Sequence, residues 1–233
     1  MKLMSTNGVA GVLRELLPGF ERSTGTKVEL VLDSSNGLLG RIAASETADA
    51  AILTAEAIDD LARQGKIAGG SRTDLARSTV GIAVRAGAPK PDIGSVEAFR
   101  RTLLAAKSIA YSKAGASGIY FAGLIERLGI AGEVNAKATV IPRGFTGELA
   151  AKGEVEIAVQ QISELMAVPG VDIVGPLPPD IQGMTTFSAG LFAGAKEKDA
   201  AAALIRLLSA PTSVPIFKAK GLEPVQRAHS EAS

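Results

Sequence analysis

Ser108-Ile109-Ala110-Tyr111-Ser112-Lys113-Ala114-Gly115-Ala116-Ser117-Gly118-Ile119-Tyr120 is the stretch on which the reading of this chain turns. It opens with a short run of β-forming residues, Ser108 to Tyr111. It then passes through small and hydroxyl-bearing residues and enters an amphipathic helix expected over Gly118 to Leu128. A strand, a glycine-rich turn and a helix form one half of a βαβ unit, and the same sequence of events recurs on both sides. Upstream, the strand from Lys2 leads through Ser5-Thr6-Asn7-Gly8 into a helix over Val9 to Glu21. The strand Val28 to Leu32 leads through Asp33-Ser34-Ser35-Asn36-Gly37 into the helix Gly37 to Ala44. Downstream, the strand Ala138 to Ile141 leads through Pro142-Arg143-Gly144-Phe145-Thr146-Gly147 into the helix Thr146 to Ala151. Strands that alternate with helices in this way predict a mainly parallel sheet with helices on both faces.

Other segments extend the pattern. Strands are expected at Ala48 to Leu53, Glu156 to Gln160 and Val171 to Val174, with a helix from Glu56 to Gln64 that stops at Gly65. Ser95 is placed to cap a helix from Val96 to Lys107, with Glu97 at its positive end. Two segments interrupt the alternation. Thr79 to Arg85 runs as a strand into the Pro/Gly cluster from Ala86 to Pro91, and Thr185 to Ala193 reads as a long strand without a crossover helix before it. Helices from Asp199 to Leu208 and from Val214 to Lys220 close the chain. Two βα blocks joined by strand-like crossings predict a two-lobed α/β protein, residues 1–79 and 188–233 forming one lobe and 80–187 the other. A ligand is then expected in the cleft between them.

Composition narrows the function classes. The chain has 233 residues, 21% of them charged, with a formal net charge of +1, which lacks the basic excess of a nucleic-acid binder. Aromatics make up 4% and Trp is absent, so stacking platforms for bases or sugars are few. There is no Cys, which excludes disulfides, thiolate metal sites and a cysteine nucleophile. The single histidine, His229, lies in the polar tail Gln226 to Ser233, away from any candidate cleft and in a segment expected to be disordered. Gly115-Ala116-Ser117-Gly118 lacks the Gly-x-Ser-x-Gly frame of a nucleophile elbow, and Gly8-Val9-Ala10-Gly11 lacks the dinucleotide fingerprint. Asp59, Asp60 and Asp49 do not have calcium-loop spacing, and Asp49 beside a strand reads as a structural hydrogen bonder. No cofactor and no metal are expected. No apolar run is long enough to span a bilayer, and Met1-Lys2-Leu3-Met4 leads directly into a core strand. We therefore expect a chain that begins at its mature sequence, without its export signal, and that acts in the periplasm as a monomer; the competing reading is a cytoplasmic protein that never had a signal.

The four strand-to-helix turns lie at the carboxyl ends of their strands, the edge at which ligands bind in parallel sheets. Helix starts offer unpaired N–H groups and the positive end of a dipole, and neighbouring hydroxyls add uncharged donors, so together they suit a small anion. Any one such turn is equally well an N-cap, since Ser, Thr and Asn are favoured there. Two per lobe facing one cleft is the functional reading. It draws Ser5, Asn7, Ser34, Ser35, Ala116, Ser117, Arg143, Phe145 and Thr146 into one candidate site.

The order Ser5-Thr6-Asn7, Ser34-Ser35, Ala48-Asp49 and Ala116-Ser117-Gly118-Ile119-Tyr120, with the closing Ile216-Phe217-Lys218-Ala219-Lys220-Gly221-Leu222, resembles the molybdate-binding branch of type II periplasmic binding proteins. The resemblance covers essentially the whole chain. It implies a Venus-flytrap fold that delivers ligand to an ABC transporter permease, with Ser5, Ser35, Ser117 and Phe145 supplying hydroxyl or backbone donors. The chain departs from that pattern where molybdate binders carry a tyrosine: Gln160 and Gln161 stand before Ile162-Ser163-Glu164. Lys113 and Arg143 add positive charge beside the pocket, and an Arg fork matches a carboxylate. A small organic acid is thus expected ahead of molybdate or tungstate, which stay as an alternative cargo, with Gln160 among its contacts; Lys113 and Arg143 read equally well as solvated rim charges. The rival reading is an isomerase of a small unsaturated tricarboxylate, for which Lys113, Ser117, Tyr120 or a carboxylate would be the acid or base. A regulator's effector domain shares the fold class but would carry a helix-turn-helix module, which is absent.

Overall fold

The computed structural model describes residues 1–225; the tail expectation for Gln226 to Ser233, His229 included, lies outside the described residues. The chain starts with three βα units: β1 (Lys2–Thr6) and α1 (Ala10–Thr24), β2 (Glu29–Asp33) and α2 (Ser35–Ala43), β3 (Ala50–Thr54) and α3 (Ala55–Arg63). A 3-10 turn, Asn7–Val9, joins β1 to α1. The long strand β4 (Thr73–Arg85) follows. Beyond it come α4 (Val96–Ala105), β5 (Ile109–Ser112), α5 (Ala116–Arg127), α6 (Ala131–Asn135), β6 (Ala138–Ile141) and α7 (Thr146–Ala151). β7 (Ile157–Gln161), α8 (Ile162–Met166) and β8 (Val171–Pro176) complete this part, and β9 (Met184–Leu191), α9 (Lys198–Leu208), α10 (Val214–Ala219) and β10 (Glu223–Pro224) end the chain.

The strands join in the order β2-β1-β3-β9-β4-β7-β5-β6, with β8 and β10 also paired to β4. β1 runs parallel to β2 and β3, and β5 runs parallel to β6 and β7, as the βα alternation predicts. The two parallel triplets meet through β4. Its first part, Thr73 to Thr79, pairs antiparallel with β9, and Val80 to Ala83 pairs antiparallel with β7. One strand therefore belongs to both lobes of this two-lobed α/β fold. The return crossing comes earlier than Phe187, because β9 already pairs Met184 with Thr79.

Each lobe has its own core. In the first, Leu13, Leu17 and Phe20 of α1 pack on Leu3, Ile52 and Phe187 beneath Leu204 and Phe217 of the closing helices. On the other face of the same strands, Met4, Leu38, Leu53 and Ile58 form a second cluster. In the second lobe Phe99, Leu103, Tyr111, Phe121 and Ile125 surround Val80, Ile82 and Val159. Each such buried side chain contributes about 1.5–3 kcal/mol of transfer free energy.

Several local expectations hold, and some do not. Ser34 and Ser95 accept the N–H groups of Gly37 and Ala98 as N-caps, and α1 ends at Gly25 in a left-handed turn with φ of 71°. α1 runs on past the expected Glu21 to Thr24, with Pro18 on its exposed side. β2 is a partly exposed edge strand, not the buried one its apolar run Val28 to Leu32 suggests, because no strand among the described residues pairs with its outer side. Asp49 is the structural group expected: its carboxylate accepts the N–H groups of Lys2, Lys196 and Glu197 at 2.7–2.9 Å, tying β3 to β1 and to the start of α9.

Candidate functional site

The clearest site feature is the turn between β5 and α5. Gly115 precedes the helix and supplies no side-chain cap, so the first-turn N–H groups of Ala116, Ser117 and Gly118 are not covered by a neighbouring side chain. The chain coils tightly here. A Cβ on Gly118 would lie 1.7 Å from the carbonyl oxygen of Ser112, and one on Gly115 would lie 2.6 Å from the Ser112 hydroxyl. Two hydroxyls are sealed into this turn. Ser112 and Ser117 are 4% and 1% exposed, and neither Oγ has a hydrogen-bond partner. A buried hydroxyl without a partner costs about 1–3 kcal/mol, so a pair beside an uncapped helix start points to a ligand that completes them.

The first lobe offers serines of a different kind. Ser5 is fully buried, and its hydroxyl donates to the Thr6 carbonyl at 3.1 Å. Ser35 Oγ accepts the Thr54 N–H at 3.2 Å, and Ser34 caps α2. These hydroxyls have backbone partners yet keep further hydrogen-bonding capacity. Asn7 is buried in the turn after β1. Gly8 must be glycine, because a Cβ there would meet the Phe187 ring at 2.3 Å.

The two walls meet in a cavity of about 350 Å3 lined by Ser35, Asn36, Thr54 and Glu56 from the first lobe. Ala114, Ala116, Ile119 and Tyr120 line it from the second, with Met184 and Thr185 at the crossing. Of the expected residues, Ser35 and Ala116 line this cavity directly. Ser34 and Ser117 are the chain neighbours of two lining residues. Phe145 contacts the first lobe elsewhere, with the Arg14 guanidinium of α1 standing 5.7 Å from its ring centroid.

Thr146 and Gln160 have a different task from the one expected. Gln160 Oε1 accepts both the N–H and the hydroxyl of Thr146, at 2.8 and 3.0 Å, and Nε2 donates to the Gly144 carbonyl at 3.0 Å. The amide braces the β6–α7 turn from below, and the Thr146 donors are consumed within it. Arg143, on the outside of that turn, is exposed and has no partner among the described residues; the same holds for Lys113. Neither lines the cavity.

Sequence reasoning passed over Ser112, Gln161 and Glu56. Gln161 is 2% exposed; its Nε2 donates to Thr185 Oγ1 at 3.0 Å, and its Oε1 has no partner. The Gln160-Gln161 pair was the available signal, and the structure puts the free amide oxygen on the second residue. Tyr120, a candidate acid or base, donates its hydroxyl to the Ile181 carbonyl at 2.8 Å and covers Gly183 with its ring. It is a clasp on the crossing segment.

α8 bridges the lobes at the back of the site. Ser163 and Ser78 share a hydroxyl hydrogen bond at 3.3 Å, and Ile162 and Met166 rest on Gly221. Glu164 of this helix is buried with the Gln161 N–H as its donor, and desolvation pushes its carboxyl up to about 8 from an ordinary 4.5. The folded form thus retains a proton that the unfolded chain releases. The stabilisation is complete below about pH 4.5 and is lost as pH rises through 8. Glu164→Gln, a neutral isostere, is expected to leave the melting temperature at pH 5 nearly unchanged and to raise it at pH 8.5, recovering about 2–4 kcal/mol. Thermal unfolding at the two pH values checks this.

Among the described residues no group of acidic or histidine side chains could hold a metal ion, and no single helix is long and apolar enough to cross a membrane.

Comparison with known proteins places these features. A family model described as bacterial extracellular solute-binding protein matches residues 1–223. An aconitate isomerase from a Pseudomonas species is 37% identical over 231 residues, covering 97% of this chain and 88% of that protein. Among solved structures, the periplasmic molybdate-binding protein of Azotobacter vinelandii superposes with a TM-score of 0.80 at 20% identity, over 98% of this chain and all of that one. The periplasmic binding protein AfuA from Actinobacillus pleuropneumoniae, with fructose-6-phosphate bound, gives 0.73 at 13% identity over 99% and 86%.

Proposed function

This chain belongs to the bacterial extracellular solute-binding protein family, and from that premise we propose that it holds a small organic acid with two or three carboxylates in the cleft. The lobes are taken as residues 1–79 with 188–233 and residues 80–187, closing on the ligand by a population shift. The closed form would be handed to an ABC permease in the periplasm. The observation that carries the reading is the pair of buried, partnerless hydroxyls on Ser112 and Ser117 at the open start of α5. One carboxylate seated there would accept from both hydroxyls and from the helix N–H groups. Ser35 lines the cavity from the other lobe, and on this reading Ser5, Asn7 and Ser34 would add their donors beside it. Lys113 and Arg143 lie exposed outside the cavity on the neighbouring turns; on lobe closure they would meet the ligand's remaining carboxylates, and that contact would favour a carboxylate over a compact metal oxyanion.

A second reading is supported by the 37% identity with an aconitate isomerase over nearly the whole chain. On that reading the same cleft binds an unsaturated tricarboxylate and moves one of its protons.

A thermal-shift series with molybdate, sulfate and di- and tricarboxylates is the test. A saturating tricarboxylate, at about 100-fold over its Kd, is expected to stabilise by about 2.7 kcal/mol. Arg143→Ala is expected to weaken that ligand's affinity about tenfold with little change in the melting temperature of the free protein, as read by titration calorimetry. Stabilisation by molybdate alone would overturn the ligand class, and unchanged affinity in Arg143→Ala would remove the arginine from the site.

A further inference from the structure

Glu56 is the only acidic residue lining the interlobe cavity, and it has no hydrogen-bond or ion-pair partner among the described residues. Its position is set by the fold. Thr54 ends β3 and caps α3 by accepting the Ala57 N–H at 3.3 Å, so Glu56 falls in the first turn of α3 on the cavity wall. Ala114 and Ala116, on the turn that buries the Ser112 and Ser117 hydroxyls, line the same space.

A free carboxylate in this place runs against simple binding. Glu56 is exposed at the mouth of the cavity, and a cleft that only held a di- or tricarboxylate would gain nothing from an unpaired negative charge on its wall, since like charges repel. A carboxylate is what the cleft needs if one wall must take a proton from carbon. The rest of the wall agrees with a ligand that has a hydrocarbon part. Ile119 and Met184 also line the cavity and are 51% and 58% exposed, large for apolar side chains of a folded chain. An inorganic oxyanion offers them no surface, whereas a carbon skeleton would cover them and exclude water from the reacting atoms.

We infer that Glu56 is the general base of an allylic proton transfer on a carboxylate-bearing alkene held in this cavity, a step that rests on the isomerase reading above. The C–H bond of a methylene flanked by a carboxylate and the double bond breaks, and its proton passes to a Glu56 carboxyl oxygen. The electron pair left behind becomes the new C=C bond, and the former C=C pair forms a C–H bond at the far carbon by taking the proton back. Charge builds transiently on the carboxylate next to the reacting carbon, and on this reading the buried, partnerless hydroxyls of Ser112 and Ser117 and the uncapped α5 start would hold it. No oxidant, reductant or further reactant enters.

The test uses the full chain with cis- and trans-aconitate as probes, in D2O. Titration calorimetry measures binding, and NMR and mass spectrometry follow isomerisation and deuterium entry into the methylene. The wild type is expected to bind, isomerise and incorporate deuterium. Glu56→Gln is expected to bind at least as tightly, since a repelling charge is gone, and to lose 100-fold or more in both isomerisation and deuterium entry. Equal turnover in wild type and Glu56→Gln would place the base elsewhere while leaving the isomerase reading intact. Loss of binding in Glu56→Gln would make it a ligand contact and overturn its role as base. A wild type that binds aconitate without isomerisation or deuterium entry would overturn the proposal and leave a carrier. A wild type that binds neither acid would overturn it together with the carboxylate reading.

Discussion

Gly118→Ala is expected to destabilise the folded protein by about 3 kcal/mol or more, the upper end of what added core volume costs, lowering the melting temperature by roughly 6–12 °C. A Cβ there would sit 1.7 Å from the Ser112 carbonyl oxygen. Ser112 is the last residue of β5, hydrogen-bonded in register with Ile141 of β6, and cannot retreat without breaking that pairing. Helix propensity predicts the opposite sign, since alanine normally improves on glycine within a helix by about 1 kcal/mol. The close backbone approach outweighs it. Gly123→Ala in the same helix is the control: its Cβ would meet only the end of the Arg127 side chain at 3.4 Å. Thermal unfolding of the two variants checks the difference, and equal melting temperatures would refute the packing argument.

Ser117→Ala is expected to act in the opposite direction on stability and to harm function. The hydroxyl is buried and partnerless, so its removal relieves a desolvated donor. The free protein should gain about 1 kcal/mol. The ligand would lose a donor in a closed cleft, and affinity for the tricarboxylate should fall about 10- to 100-fold, the equivalent of about 1.5–3 kcal/mol for a hydrogen bond to a charged group. A variant that is more stable alone but binds more weakly marks a residue kept for its ligand. Unfolding without ligand and titration calorimetry with it separate the two effects. A serine that served only the fold would show lower stability and unchanged affinity.

Much of the architecture was legible in local chemistry. The strand at Ala138 to Ile141 and the helix at Thr146 to Ala151 fall where strand propensity and a small-residue turn place them. The caps at Ser34 and Ser95 and the stop at Gly25 follow from single residues. The first half of β4 was not legible: Thr73-Asp74-Leu75-Ala76-Arg77-Ser78 has no clean alternation and reads as loop. It is a strand because β9 and β10 flank it, and because Asp74 is paired to Arg72 and to the Ser188 hydroxyl. The pairings with β9, β10 and Ser188 join residues more than a hundred positions apart. α8 is five residues long, too short for periodicity to reveal.

The site divides along the same line. Small turns before helices identified the serine walls, because that signal is local. Whether a glutamine braces a turn or faces a ligand depends on where Gly144 and Thr146 come to rest, and sequence gives both options the same appearance. Glu56 lay within a helix whose caps and apolar stripe explained it fully. Only the meeting of α3 with the β5–α5 turn sets it in a cavity.

The order of the sheet also fixes a schedule for synthesis. β9 lies between β3 and β4, although roughly a hundred residues of chain separate it from β4. Everything from Val80 to Ile181 needed for the second core emerges as one continuous stretch. The first core must wait for Phe187, Leu204 and Phe217. On a ribosome adding about 5–20 residues per second, β3 and the front of β4 remain open edges for at least several seconds. Unpaired strand edges are templates for aggregation, and this interval is where the nascent chain is most exposed to it. The lobe that is begun first is finished last.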